Sequence, residues 1–299
     1  MTGAATLAHP ARRFRVGAYA IEVGQAPVDV LRSIDHLYGR YPRVAPGEFV
    51  DFSVGVRRRR LPRPWVPQSV FVVEGEEPFN PLPGNQGFPL LEWGLNWCIY
   101  GLCHQHLTIH AAVLERGGRA IVIPAPSGSG KSTLCAGLLF RGWRLLSDEF
   151  ALVCPRSGEL IPNPRPVSLK NESIEVVRHF APEAEFGSLV RDTVKGVVGH
   201  FRVPDEALQR ARERAAPGWI VVPRFTPGQL PTLRRMDRAL AFMRLVENAF
   251  NYAVFGRQGF EMLGALVDRS QCFTFEYGDL GAATELFDRL SRGDPDVCG

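Results

Sequence analysis

Apolar residues recur along this chain either at every second position or in short runs, which predicts strands, or at every third to fourth position, which predicts helices. The middle of the chain is the clearest part, with an apolar run at 120–123, a Gly/Ser-rich segment, and a segment of helical character at 134–140. This order predicts a strand, a glycine loop and a helix. A phosphate-binding loop occurs in that setting.

The same reading over the whole chain predicts an α/β (α+β) protein. β-like alternation and short apolar runs predict strands at 14–23, 49–56, 69–74, 107–115, 119–123, 143–153, 196–203, 219–225, 230–236 and 272–277. Helical spacing predicts helices at 28–38, 88–106, 134–140, 172–180, 205–214, 240–250, 259–268 and 280–290. Prolines between positions 62 and 83 predict a boundary, with a smaller N-terminal α+β region at 1–84 and a second domain at 85–299.

Composition excludes several classes of protein. The chain has 299 residues, of which 45% are hydrophobic and 22% charged, so an ordered core is expected and disorder is not. A net charge of +4 does not by itself favour a nucleic-acid partner. Only three of the 35 basic residues are lysines, which makes a specific role for each of them more plausible: Lys131, Lys170 and Lys195.

Targeting and metal patterns are also absent from the sequence. The six cysteines form no C-x-x-C pair, which argues against a zinc site. The first residues lack the apolar core of a signal peptide, and the most apolar stretch, 90–103, contains Glu92 and Asn96 and is too short to span a bilayer. We therefore expect a cytoplasmic protein with no membrane and no nucleic-acid partner.

The Gly/Ser-rich segment has residues suited to hold a nucleotide. Two glycines allow a tight turn with inward N–H groups, Lys131 supplies charge to the β- and γ-phosphates, and the Ser132 hydroxyl suits Mg²⁺. Ala125 stands where G-x-x-x-x-G-K-[ST] has its first glycine, a variant that a negative φ tolerates. The alternative is an ordinary connection without a ligand. The predicted nucleotide-binding residues are Ala125, Pro126, Ser127, Gly128, Ser129, Gly130, Lys131, Ser132 and Thr133.

Two acids interrupt the predicted strand at 143–153. Burying a carboxylate there is costly unless a cation or hydrogen bonds compensate. Because neighbouring strand residues face opposite sides, we expect only one acid to face the loop, and we assign Asp148 to Mg²⁺ or to the attacking hydroxyl. The alternative is that Asp148 merely caps a turn at the strand end. The apolar run continues through Leu152, which favours the first interpretation.

The segment from His110 to Glu149 resembles the catalytic domain of HPr kinase/phosphorylase. Both have a strand histidine, a hairpin, a G-x-G-K-S loop, a helix, and R-G-x-R-L followed by paired acids, here R-G-W-R-L-L-S-D-E. The motifs S-L-K-N, W-I-V-V-P-R-F, M-R-L-V-E-N-A-F-N-Y and F-E-Y-G-D-L resemble the HPr-kinase-related kinase A group. The resemblance covers most of residues 85–290.

The resemblance implies a fold like the nucleotide domain of phosphoenolpyruvate carboxykinase, a mixed sheet flanked by helices. It places the catalytic acid on Asp148, its neighbour on Glu149 and the strand histidine on His110. ATP and Mg²⁺ are the implied cofactors, and the implied reaction moves the γ-phosphate to a hydroxyl, typically serine, of a peptide or small protein. It also implies a homo-oligomer.

One departure from the family and two other functions remain open. The family's E-[IV]-R-G-x-G motif is absent after Asp148, which puts the reverse reaction in doubt; Glu172 or Lys170 lies at a comparable distance. Arg224 and Lys170 are further candidates for a phosphate contact. The alternative functions are a P-loop ATPase or nucleotide-dependent regulatory scaffold without phosphotransfer, and a small-molecule kinase.

Overall fold

The computed structural model describes residues 10–59, 67–126 and 128–297. Within these ranges the chain forms sixteen strands and eight α-helices, so it is a mixed α/β protein. The strands are β1 (Arg12–Val16), β2 (Tyr19–Val23), β3 (Phe52–Arg59), β4 (Gln68–Val73), β5 (Leu82–Pro83), β6 (Leu107–Arg116), β7 (Arg119–Pro124), β8 (Arg144–Ser147), β9 (Phe150–Val153), β10 (Leu160–Ile161), β11 (Val167–Lys170), β12 (Val190–Thr193), β13 (Gly196–Phe201), β14 (Ala216–Phe225), β15 (Thr232–Arg235) and β16 (Gln271–Tyr277). The helices are α1 (Val28–Tyr38), α2 (Gly87–Leu102), α3 (Lys131–Phe140), α4 (Glu172–Phe180), α5 (Asp205–Gln209), α6 (Arg238–Asn248), α7 (Tyr252–Asp268) and α8 (Leu280–Ser291).

The largest sheet has eight strands and mixed directions. Its order is β10-β9-β6-β7-β14-β16-β15, and β8 also pairs with β6. Strands β7, β14 and β16 run parallel to one another, whereas β6 is antiparallel to β7, β8 and β9. The glycine-rich segment therefore leaves a strand in the interior of the sheet.

Helices cover both faces of this sheet. In β6, Ile109 and Val113 point into a core that α6 and α7 cover, while Leu114 points into a second core that includes α3 and α8. Burying a side chain of this kind contributes about 1.5–3 kcal/mol. Because both faces are apolar, the strands read as continuous hydrophobic runs rather than as alternating ones.

The N-terminal strands form a second sheet of order β1-β2-β3-β4-β5, covered by α2. Phe71 of β4 approaches α2 closely at Gly94, where an added Cβ would lie 2.3 Å from the Phe71 ring. Phe14 and Tyr38 are buried in the same hydrophobic cluster that contains Leu114 of the large sheet. The two sheets are thus joined by continuous apolar packing.

A third, antiparallel sheet of order β11-β13-β12 lies beside α3, and α4 packs against its first strand. This sheet was only partly predicted, since the pattern indicated β13 but neither β11 nor β12. Its first strand, β11, which ends at Lys170, packs against the helix that follows the glycine-rich segment.

Most element predictions are confirmed and several are wrong in detail; the helix predicted at 205–214, for example, ends at Gln209. The helices predicted at 28–38 and 172–180 match α1 and α4. The strand predicted at 14–23 is a hairpin that turns at Gly17, where φ is 52°. The strand predicted at 143–153 breaks between Ser147 and Phe150. No helix in the described ranges combines the length and apolarity needed to cross a bilayer.

Candidate functional site

The glycine-rich segment leaves the carboxyl end of β7 and enters α3. Its described part includes two glycines with positive φ, Gly128 at 88° and Gly130 at 89°. Residues with a Cβ rarely adopt this conformation. Ser127 lies outside the described residues. The segment sits at the carboxyl ends of three parallel strands, which is where open α/β sheets commonly bind ligands.

The ends of two neighbouring strands hold this segment in place. The Tyr277 hydroxyl donates a hydrogen bond to the Gly130 carbonyl over 3.0 Å, and the Phe225 N–H donates to the Ser129 carbonyl over 3.2 Å. An added Cβ at Gly130 would lie 2.5 Å from the Tyr277 hydroxyl. Sequence reasoning assigned Tyr277 and Phe225 no role; the signal was their position at the ends of two strongly apolar strands, in W-I-V-V-P-R-F and F-E-Y.

Lys131 is the first residue of α3, and its side chain is buried. A lysine is rarely buried without a partner. Its Nζ donates a hydrogen bond to the Asp148 carbonyl over 2.9 Å and lies 3.4 Å from His110 Nε2. The predicted Mg²⁺ ligand Ser132 and its neighbour Thr133 follow in the first turn of the helix and are both partly exposed. The structure thus brings the lysine, the strand histidine and the acid-bearing segment together.

The two acids lie in the break between β8 and β9. The Ser147 hydroxyl accepts hydrogen bonds from the N–H groups of Glu149 and Phe150, at 3.3 and 3.0 Å, and closes a bend. Strand alternation, from which we expected only one acid to face the loop, does not apply here, because the two acids lie within a bend. Asp148 approaches α3, while Glu149 approaches His110.

The Asp148 carboxylate is buried and unusually poor in partners. The side chain is 4% exposed, and neither of its oxygens has a hydrogen-bond partner among the described residues. Burial raises the pKa of Asp148, the Lys131 charge opposes the increase, and the Glu149 charge adds to it. The Ser132 hydroxyl and the Ser168 backbone come close enough to favour the charged form without reaching hydrogen-bonding geometry. The net effect is a pKa above the ordinary value of an aspartate.

Glu149 differs from Asp148 because it has a direct partner. Its Oε2 lies 3.6 Å from His110 Nε2, and its side chain is 34% exposed. Burial would raise the pKa of Glu149, but contact with His110 and the charges of Lys131 and Lys170 outweigh burial and hold it well below its usual range. Two adjacent carboxylates thus have pKa values shifted in opposite directions, a feature common at acid–base sites.

The oxygens of this site fit a magnesium ion better than a transition metal. The Asp148 carboxylate and the Ser132 hydroxyl are hard oxygen ligands, and Mg²⁺ usually binds one or two carboxylates together with water and substrate phosphates. Within the described ranges, no cluster of three or more His, Cys, Asp or Glu side chains is arranged to hold a metal. The residues present are therefore compatible with Mg²⁺ bound together with a nucleotide.

A small polar cavity lies against Asp148. Its volume is about 20 Å³, comparable to one water molecule, and its lining includes Asn163 and Arg165. Asn163 Oδ1 and Arg165 Nε are buried without a hydrogen-bond partner in the described part of the chain, like the Asp148 oxygens. Arg165 is otherwise well bound, since it donates to Glu92 Oε2 over 2.6 Å, and Tyr38 donates to Glu92 Oε1 over 2.6 Å. This network anchors the segment after β10 to α1 and α2.

The remaining candidates fall in two groups. Arg224 is 78% exposed and lies 3.9 Å from Glu276, and Glu172 is exposed at the start of α4; among the described residues, neither forms a hydrogen bond or ion pair with Asp148 or Glu149. Lys170, at the end of β11, and Lys195, in the turn between β12 and β13, in contrast lie within electrostatic range of Glu149. Of the remaining loop positions, Ala125 is buried and Pro126 exposed.

Comparisons with known proteins give limited information. A family described as SynChlorMet cassette protein ScmC matches residues 96–170, well under half of the chain. The structure titled "Structure of the Hpr(Ser) kinase/phosphatase from Coxiella burnetii" is 14% identical, covering 62% of this chain and 94% of that chain with a TM-score of 0.29. No curated protein matches. At this TM-score the similarity does not establish a common fold, and the resemblance to HPr-kinase-related kinase A stays a hypothesis.

Proposed function

We propose that this protein is an ATP-dependent phosphotransferase that moves the γ-phosphate to a hydroxyl, serine in particular, of a peptide or small protein. The observation that carries the proposal is the hydrogen bond from Lys131, at the start of α3, to the backbone carbonyl of Asp148, which places the lysine beside a buried carboxylate that has no hydrogen-bond partner among the described residues. A cation at a helix N-terminus suits phosphate, and an unpartnered carboxylate suits a metal ion or an incoming hydroxyl.

The nucleotide-binding half of the site is the glycine-rich segment with the first turn of α3. The positive φ angles of Gly128 and Gly130 open the backbone towards an anion, and the helix N-terminus adds partial positive charge. Lys131 then binds the β- and γ-phosphates. Tyr277 fixes the Gly130 carbonyl and with it the direction of the neighbouring N–H groups.

The acid half of the site is the bend that contains Asp148 and Glu149. Asp148 orients the acceptor hydroxyl and takes its proton, a role that its raised pKa favours. Glu149 stays ionised beside His110 and keeps that ring in position. Ser132 and Asp148 would hold Mg²⁺, which supplies charge neutralisation to the phosphate oxygens.

Purified protein with ATP labelled at the γ-phosphate tests the proposal. Label on a polypeptide from the native host supports it; release of label only as phosphate supports an ATPase or regulatory scaffold; label on a small metabolite supports a small-molecule kinase. The Lys131→Ala variant should lose nucleotide turnover. The Asp148→Asn variant should bind nucleotide normally and lose transfer by about 10²–10⁴-fold.

The matched control is Asp268→Asn, a carboxylate-to-amide change on a side chain that is 69% exposed at the end of α7. It should transfer phosphate like the wild type. Transfer by Asp148→Asn at the rate of this control would remove Asp148 from the reaction.

A further inference from the structure

All three lysines of the chain converge on the acid pair. Arginine fills the other basic positions, 32 of 35 in total. Lys131 contacts the Asp148 backbone directly. The Lys170 charge acts on Glu149, and the charges of Glu149 and Lys170 act on Lys195. Because arginine is the default cation in this chain, three lysines around two acids indicate a specific requirement for compact, point-like charges.

The direction of Lys170 follows from its strand. Ser168 and Lys170 lie two residues apart in β11 and are partly exposed, whereas Val167 and Leu169 are buried. Residues at this spacing share one face of a strand. Ser168 lines the small cavity together with Asp148 and Glu149, so Lys170 lies on the face of β11 that looks towards the acids.

Lys195 reaches the same region from the turn between β12 and β13. Its Nζ lies 4.9 Å from the centre of the Trp93 ring, and Trp93 lines the cavity with Glu149. An aromatic face holds an ammonium group through cation–π attraction. The Trp93 ring thus holds the Lys195 side chain on the side of the acids, although Lys195 is exposed.

A strained asparagine fixes the two lysines relative to each other. Asn171 follows Lys170 with a φ of 51°, a rare value for a non-glycine residue. Its Nδ2 donates to the Lys195 carbonyl over 3.3 Å, and its Oδ1 accepts from the Val197 N–H over 3.0 Å. An added Cβ at Gly196 would lie 2.2 Å from that oxygen. Strain held in place by such contacts is common at binding sites.

The charges around the acids explain why the lysines are needed. Asp148, Glu149 and Lys131 together carry net −1 when ionised, which would repel the terminal phosphate of a nucleotide before any metal ion is counted. With Lys170 and Lys195 the group carries net +1. Neither of these two lysines forms an ion pair with any carboxylate in the part of the chain that the structure describes. Two cations held close together without a contacting carboxylate form an anion site.

We propose that Lys170 and Lys195 bind the terminal phosphate of the nucleotide, across the acid pair from Lys131. This inference rests on the proposed function and extends it, since it divides phosphate recognition between two elements. The glycine-rich segment and Lys131 hold the phosphates common to ADP and ATP, and the third sheet recognises the phosphate that is transferred.

Measurements of nucleotide affinity test this division of phosphate recognition between the glycine-rich segment and the third sheet. Calorimetry with Mg²⁺ would compare ADP with a non-hydrolysable β,γ-imido analogue of ATP. Lys170→Gln and Lys195→Gln should each weaken binding of the analogue about tenfold and leave ADP binding unchanged. Lys170→Arg and Lys195→Arg should restore only part of the affinity for the analogue, because they keep the charge but replace a compact ammonium group with a larger guanidinium group. The matched control is Arg191→Gln, which removes an exposed cation from β12.

Amine labelling gives a second measurement on the wild type that needs no substitution. Reductive methylation with peptide mass spectrometry resolves every lysine, because the chain has only three. The analogue should slow methylation of Lys170 and Lys195, whereas ADP should not. Although Lys195 is exposed as a whole residue, partial desolvation of its ammonium group and the Lys170 charge lower its pKa, which favours its reaction near neutral pH.

The outcomes separate the two proposals. Binding of both nucleotides with no difference in affinity or in methylation would overturn the lysine assignment and leave the phosphotransferase proposal standing. Equal slowing of Lys170 and Lys195 methylation by ADP and by the analogue would likewise overturn the lysine assignment alone. Failure of the wild type to bind either nucleotide would overturn both.

Discussion

Replacing Asp148 by asparagine should stabilise the nucleotide-free protein while stopping the reaction. The aspartate is 4% exposed, both of its oxygens lack a hydrogen-bond partner among the described residues, and its pKa is raised chiefly by burial. A raised pKa means that the surroundings disfavour the charged form, even with the Lys131 charge included. An amide of the same shape removes that charge.

The size of the effect follows from the cost of an unsatisfied buried group. That cost is about 1–3 kcal/mol and is larger for a charge. Asparagine removes the buried charge but still buries a polar group, so the substitution removes only part of this cost. We therefore expect the free energy of unfolding to rise by about 1–2 kcal/mol. For a chain of this size that corresponds to a Tm increase of roughly 2–4 °C.

Urea unfolding followed by circular dichroism at neutral pH, without nucleotide, measures the change. Asp268→Asn is again the control, and its exposed side chain should change stability by no more than about 0.5 kcal/mol. An Asp148→Asn protein that is folded but less stable than the wild type would refute the reasoning. That result would mean that the Asp148 charge is already compensated within the protein.

Three further predictions concern the supports of the site. Glu92→Ala leaves the Arg165 guanidinium buried without its carboxylate and should lower the free energy of unfolding by about 3–5 kcal/mol in urea titrations. Gly130→Ala should abolish nucleotide binding in calorimetry. Gly47 has a similar φ of 87°, and a Cβ added there would meet no other described atom within 4 Å, so Gly47→Ala measures the cost of backbone strain without a steric clash. Burial lowers the pKa of His200. As the pH falls, the His200 side chain therefore takes up a proton more readily in the unfolded chain than in the folded one. The contribution of neutral His200 to the free energy of unfolding is complete above about pH 6.5 and is lost as the pH falls below that value. The urea midpoint should thus drop between pH 7.5 and pH 5, and an unchanged midpoint would contradict this.

Local patterns predicted much of the fold and the centre of the candidate site. The order of strand, glycine-rich segment and helix depends on residues close in sequence, and so did the placement of His110, Lys131 and Asp148 on neighbouring elements. The bend at Asp148 and Glu149 was missed because apolar residues flank it on both sides. Its local signal was Ser147, whose hydroxyl accepts from the following N–H groups.

The spacing of apolar and polar residues could not predict contacts between residues that are far apart in sequence. Tyr277 and Gly130 are separated by 147 positions, and nothing in either neighbourhood indicates that they meet. The lysine cluster was foreseeable only as a matter of composition. Its geometry depends on a third sheet whose first and last strands are short and carry little hydrophobic periodicity.

The interior position of β7 has a consequence for how the protein is made. The candidate catalytic residues all precede position 150, yet β14, which covers one side of β7, begins at Ala216, and β16 ends at Tyr277. A nascent or truncated chain that stops before Ala216 would carry every candidate catalytic side chain and expose β7 as an open edge prone to aggregation. The proposed nucleotide site should therefore form only after the chain has been synthesised through Tyr277.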